Sequence, residues 1–141
     1  MHSLTLSQAN AIIGAALKAA RAKGYKPMAV VVVDNAGHIK AAQREDDASM
    51  FRVDIATGKA WGSVAMGAAS RELHNRAQGN PIFFNALAST AQGKFLPQTG
   101  AVLIKNAEGQ VLGAVGASGG TGDEDEEVCA QGVLEAGLIV G

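Results

Sequence analysis

The chain has little of several things on which small proteins often rely. Its one cysteine, Cys129, excludes an internal disulfide, so the fold must be held by packing, and a reducing compartment suits it. Aromatic residues make up 4% of the chain, which leaves Trp61, Phe83 and Phe84 as the main side chains able to stack on a flat ligand. The net charge is −1 and the basic residues are scattered, so the electrostatic footprint of a nucleic-acid binder is missing. No apolar run approaches the ~20 residues of a membrane span. Residues 11–17 are apolar, but no Lys or Arg precedes them and Gln8 and Asn10 interrupt the approach, unlike a secretory leader. These features point to a cytoplasmic protein with no nucleic-acid or membrane partner.

What is present is a globular composition, 48% hydrophobic with 18 glycines, and 141 residues give one domain over 1–141 enough length for a core. Residues 6–23 carry apolar side chains at helical spacing, with Thr5 and Gln8 at capping-box spacing and Gly24 as the stop. Two segments then share one pattern. MAVVVVDNAGHIKAAQRE (28–45) and AVLIKNAEGQVLGAVGAS (101–118) each read as strand, turn and returning strand. Two hairpins predict an antiparallel sheet. Between them lies a helical stretch over 52–71, in which Gly58, Gly62 and Gly67 would each cost about 1 kcal/mol against Ala unless packing offsets it. A shorter helix restarts at Asn80-Pro81, a loop follows over 93–100, and a last helix runs over 123–139, with Ala130, Val133, Leu134, Gly137 and Leu138 as its buried stripe. The expected architecture is a three-layer α+β domain around an antiparallel sheet.

Residues 113–127, GAVGASGGTGDEDEE, run from a strand through a glycine-rich loop to a helix start. Such a start attracts anions, and the amides around Ser118, Gly119 and Gly120 could form a nest. However, the P-loop lysine and spacing are missing, and five acids follow. Those acids complement the helix dipole, with Thr121 or Asp123 as the N-cap. Two readings stay open beside it: a weak surface cation site using Asp123, Glu126 and Glu127, and a pocket wall where glycines admit a ligand to the backbone.

Taken together, three segments carry a resemblance. GAVGASGGTGDEDEEVCAQG (113–132), DNAGHIKAAQREDDA (34–48) and FRVDIATGKAWGSVAMG (51–67), with its Lys59-Ala60 pair, resemble in order the motifs of the GlcG/HbpS-like family, which includes the C-terminal domain of PduO-type cobalamin adenosyltransferases. Where many members have Gly-Gly-x-Pro entering the third strand, this chain has Thr99-Gly100-Ala101-Val102. The resemblance implies a profilin-like fold with a five-stranded antiparallel sheet flanked by helices. It also implies a homo-oligomer, a hexamer or octamer, that binds a small molecule. Haem binding, with slow haem degradation in places, is one implied function. Isomerase or tautomerase chemistry on a small unsaturated carboxylic acid, such as a 2-hydroxymuconate in aromatic or small-acid catabolism, is the alternative.

Each function calls for particular residues. Haem needs an axial ligand and an apolar slot; the candidates are His2, His38, His74, Cys129 and the methionines, with His38 just after the turn at Gly37. Proton transfer on an acid needs a cationic clamp and one group that moves the proton. Arg52, Asp54 and Lys59 are the catalytic candidates, because residues seven apart share a helix face and Asp54 lies near it; Arg44 and Arg71 are candidate ligand-binding cations. The same three residues also read as an ordinary ion pair at a subunit interface. No G-x-S-x-G elbow occurs, and the His spacing of a metal site is missing, so no metal ligands are assigned.

Overall fold

The computed structural model describes residues 3–141. The first helix, α1 (Leu6–Ala22), starts at Thr5, whose hydroxyl accepts from Gln8 N while the Gln8 side chain accepts from Thr5 N, the reciprocal cap its spacing predicts. The strands β1 (Ala29–Asp34) and β2 (Ile39–Arg44) form the first hairpin, and β3 (Ala101–Lys105) and β4 (Val111–Ser118) the second. Both turns use the same device. Asp34 Oδ1 accepts from Ala36 N and His38 N, and Asn106 Oδ1 accepts from Glu108 N and Gln110 N.

The hairpins meet through β1 and β4, giving the strand order β2-β1-β4-β3 with a further short strand, β5 (Ile139–Val140), against β3. All pairs are antiparallel. Alternation along β1 sorts the two faces. Val30 and Val32 pack with Ile12, Ile13 and Ala16 of α1 and with Val128 and Val133 of α5 (Gly122–Glu135), while Val31 and Val33 pack with Ala56 and Ala60 of α2 (Phe51–Met66). The result is the three-layer α+β arrangement, with helices on both faces of a five-stranded antiparallel sheet.

Helix α2 packs directly against the backbone of β4 at Gly116. A Cβ there would lie 2.4 Å from Ala56 O, so any other residue would push the helix away. On the other side of α2, Gly58 and Gly62 receive Leu96 and Phe95, contacts that offset the helical cost of those glycines. Gly67 has a different role from the one its place in the 52–71 stretch suggests: at φ 69° it is the left-handed end of α2, and the chain restarts as α3 (Ser70–Gly79) and α4 (Pro81–Thr90).

The last helix also differs from its expected span. It ends at Glu135, Gly137 turns the chain at φ 77°, and Ile139–Val140 joins the sheet as β5. Its buried stripe is Asp125, Val128, Cys129, Gly132 and Val133, whereas Leu134 is exposed and Ala130 only partly covered. No helix among the described residues is long and apolar enough to cross a membrane.

Candidate functional site

At one end of the sheet, β4 finishes at Ser118 beneath the start of α2, and the loop 119–121 leads into α5. Thr121 is the N-cap of α5, in a reciprocal box with Glu124. This cap sets the rotation of the helix, and the rotation turns Asp125 inward. Asp125 is 2% exposed; its Oδ1 accepts from Gly120 N at 2.9 Å and its Oδ2 lies 3.1 Å from Lys59 Nζ. Lys59, reaching from α2, is 5% exposed and also donates to Ala117 O at 2.9 Å. Gly100 lies over the ammonium, where a Cβ would come within 2.6 Å of Nζ. Burial pushes the Asp125 carboxyl above its ordinary value, opposed by the Lys59 charge, by its hydrogen bonds from Lys59 and Gly120, and by Arg52.

Two turns of helix separate Arg52 from Lys59, and both line one cleft of about 380 Å³ with Ser118, Gly120 and Asp125. Arg52 Nη1 lies 3.4 Å from Ser118 Oγ, and among the described residues no carboxylate is within ion-pair distance of it. Gly119 lines an adjoining hollow that shares Arg52 and Gly120 and is edged by Lys23, Tyr25 and Lys26.

The other sequence candidates fall elsewhere. Asp54, two residues from Arg52, points to a separate cleft of about 680 Å³ beside the first hairpin turn, shared with His38, Ile39, Thr57, Trp61 and Lys94. It is therefore not gathered with Arg52 and Lys59. His38 is 82% exposed on its side chain, with Nδ1 4.0 Å from Asp34 Oδ2. Arg44 donates to Ala48 O and lines a further hollow with Arg21, Glu45, Asp46 and Asp47. Arg71 pairs across to Asp123 and Glu126 on α5. His74 Nδ1 is 3.3 Å from Pro97 O beside a hollow of about 230 Å³. Cys129 is buried, its thiol pushed up by that burial, with Sγ 3.6 Å from Gly100 O. His2 lies outside the described residues. Phe84 stacks on Phe95 within a small core, leaving Trp61 as the aromatic wall of the large cleft.

The acidic run thus divides its work: Glu124 caps, Asp123 and Glu126 hold Arg71, Glu127 meets Lys23 and Tyr25, and Asp125 holds Lys59. Among the described residues no three His, Cys, Asp or Glu side chains are grouped to hold a metal ion. Asp125 is the residue that reading the sequence passed over. Its signal was present, since 125, 128, 129, 132 and 133 make one helical stripe whose other members are small or apolar.

The chain matches the family described as haem degrading protein HbpS-like over residues 4–134. It is 32% identical over 102 residues to the corrinoid adenosyltransferase PduO of Citrobacter freundii, covering 72% of this chain but only 30% of that longer protein. The crystal structure of a PduOC–haem complex superposes with a TM-score of 0.86 at 27% identity, covering 99% of this chain and 98% of that one. Klebsiella pneumoniae protein ORFY superposes with a TM-score of 0.87, also at 27% identity, over 99% of this chain and 94% of that one.

Proposed function

The chain belongs to the HbpS-like family, and on that premise we propose that it is a small-ligand-binding protein whose ligand is haem, held in the cleft beside the first hairpin turn. One observation carries this reading. His38 presents an exposed imidazole at the rim of the roomiest of the clefts described above, and Trp61 forms its wall. A porphyrin needs a nitrogen, sulfur or oxygen donor for its iron and an apolar face against its ring. His38 and Trp61 meet those needs, and Lys94 offers a cation to a propionate. Haem bound there would supply iron redox chemistry. The chain's own part is to bind, orient and partly cover it. His74 suits the role less well, because the hollow beside it is small and one ring nitrogen faces Pro97 O.

The working form in this reading is a cytoplasmic homo-oligomer of six or eight chains. Supporting it are Met50, Phe51, Ile82 and Phe83, large apolar side chains left exposed on the isolated chain. The haem reading is tested by titrating haem-free protein with hemin and following the Soret band, with His38→Ala and His74→Ala in parallel. Saturable binding near one haem per chain, weakened at least about tenfold by His38→Ala and little changed by His74→Ala, is expected. Non-saturating binding, or binding indifferent to His38→Ala, overturns it.

A further inference from the structure

The cleft on Arg52, Lys59 and Asp125 is separate from the haem cleft, and its chemistry is different. Lys59 and Asp125 balance one another, and two of the three ammonium protons have acceptors in Asp125 Oδ2 and Ala117 O. Arg52 is the unbalanced charge. Its guanidinium is half-buried on the cleft wall, its one side-chain partner is a hydroxyl, and no carboxylate answers it among the described residues. Two cations and one carboxylate therefore face the same small space, with one positive charge in excess.

A guanidinium in that position favours a planar anion able to accept two parallel hydrogen bonds. The rest of the lining limits what the anion can be attached to. Phe51, Ile55 and Leu96 offer an apolar wall, Thr99 and Ser118 offer hydroxyls, and about 380 Å³ admits only a small molecule. A doubly charged anion would gain little over a singly charged one, because Asp125 repels the second charge. The adjoining hollow brings Lys26 and Glu124 to the approach, the lysine with no ion-pair partner among the described residues and the glutamate engaged as the cap on Thr121 N.

The geometry points to a binding site for a short monocarboxylic acid, its carboxylate on Arg52 and its oxygen-bearing C2 toward Ser118 and the free N–H of Lys59. The site stands independently of haem. Each half of it comes from a different part of the chain: α2 supplies the cations, and the end of β4 with the first turn of α5 supplies the hydroxyl and the acid. Asp125 fixes Lys59 in place, so the ammonium is already oriented when the ligand arrives.

The test uses haem-free protein and pyruvate as the probe, followed by saturation transfer to its methyl protons and by calorimetric titration. Methyl pyruvate, which lacks the charge, and inorganic phosphate, which carries more, are run beside it. Wild type is expected to bind pyruvate saturably and both comparison compounds more weakly. Arg52→Gln should weaken pyruvate binding at least about tenfold, the order set by losing a charge-assisted hydrogen bond, with Arg52→Lys in between. The melting temperature without ligand should stay within a few degrees for both variants, since Arg52 holds no ion pair. Absence of saturable pyruvate binding overturns the assignment, as does equal binding of methyl pyruvate, tighter binding of phosphate, or an Arg52→Gln protein that binds like wild type.

Discussion

Lys59→Met tests the buried pair most directly. Methionine keeps an unbranched stem in the same channel but removes the ammonium, leaving Asp125 with Gly120 N as its sole remaining hydrogen-bond donor and Ala117 O without its side-chain donor. Breaking a buried pair by deleting one partner costs about 3–5 kcal/mol. For a chain of this size each kcal/mol lowers the melting temperature by roughly 3–5 °C, so a fall of about 10–20 °C is expected near neutral pH. The pH dependence has a definite sign. Burial already raises Asp125 above 3.8, and removing the Lys59 charge raises it further. Between 3.8 and that folded value the unfolded chain has lost the proton that the folded one keeps. Stability is therefore lost as pH rises through this window, and the penalty in the variant is smaller near about pH 4 than near about pH 7. Urea unfolding followed by circular dichroism at both pH values measures it, and Lys59→Met/Asp125→Leu should recover most of the loss because an apolar pair replaces the charges. A single variant within about 1 kcal/mol of wild type at neutral pH, or equally destabilised at both, would refute the reasoning.

Tyr25, the one tyrosine of the chain, donates to Glu127, and that hydrogen bond more than any other cause raises its phenol to about 12. Spectrophotometric titration should place phenolate formation there, and Glu127→Gln should bring it back toward 10; an unchanged midpoint would remove the hydrogen bond as the cause. The stability that Tyr25 adds is present below 10 and lost as pH rises through about 12. Gly116→Ala should destabilise by about 1–3 kcal/mol or more in urea unfolding, since its Cβ would meet Ala56 O at 2.4 Å. Gly14→Ala, on an exposed turn of α1 with nothing within 4 Å of the added carbon, should instead stabilise by up to about 1 kcal/mol; the same sign for both would contradict the close-approach argument.

The elements with local causes were legible in advance. Thr5 with Gln8, and the two Asx turns at Asp34 and Asn106, need only neighbours a few residues away, and each formed where its spacing put it. The end of the last helix was not legible, because Leu138 and Ile139 continue an apolar pattern, whereas Gly137 turns the chain at φ 77° and Ile139 pairs with β3. The break at Gly67 was hidden for a similar reason: a glycine reads alike as a costly interior residue and as a left-handed cap. At the site, Arg52 and Lys59 were predictable as a pair from their spacing. Asp54 was not separable from them by spacing alone, since position along a helix does not say which neighbouring layer each side faces. Asp125 was masked by the acids around it, although its place on the buried stripe set it apart.

The pairing of β1 with β4 also orders events during synthesis. Val31 lies opposite Gly116, so the centre of the sheet cannot close until the second hairpin exists, although the first hairpin can form from near neighbours. Lys59 emerges long before the aspartate that neutralises it, and the cleft waits for both. A ribosome-bound chain stalled anywhere before α5 would hold its cations without their wall. Completion of the cleft would then mark the docking of α5 on a sheet whose two hairpins have already joined.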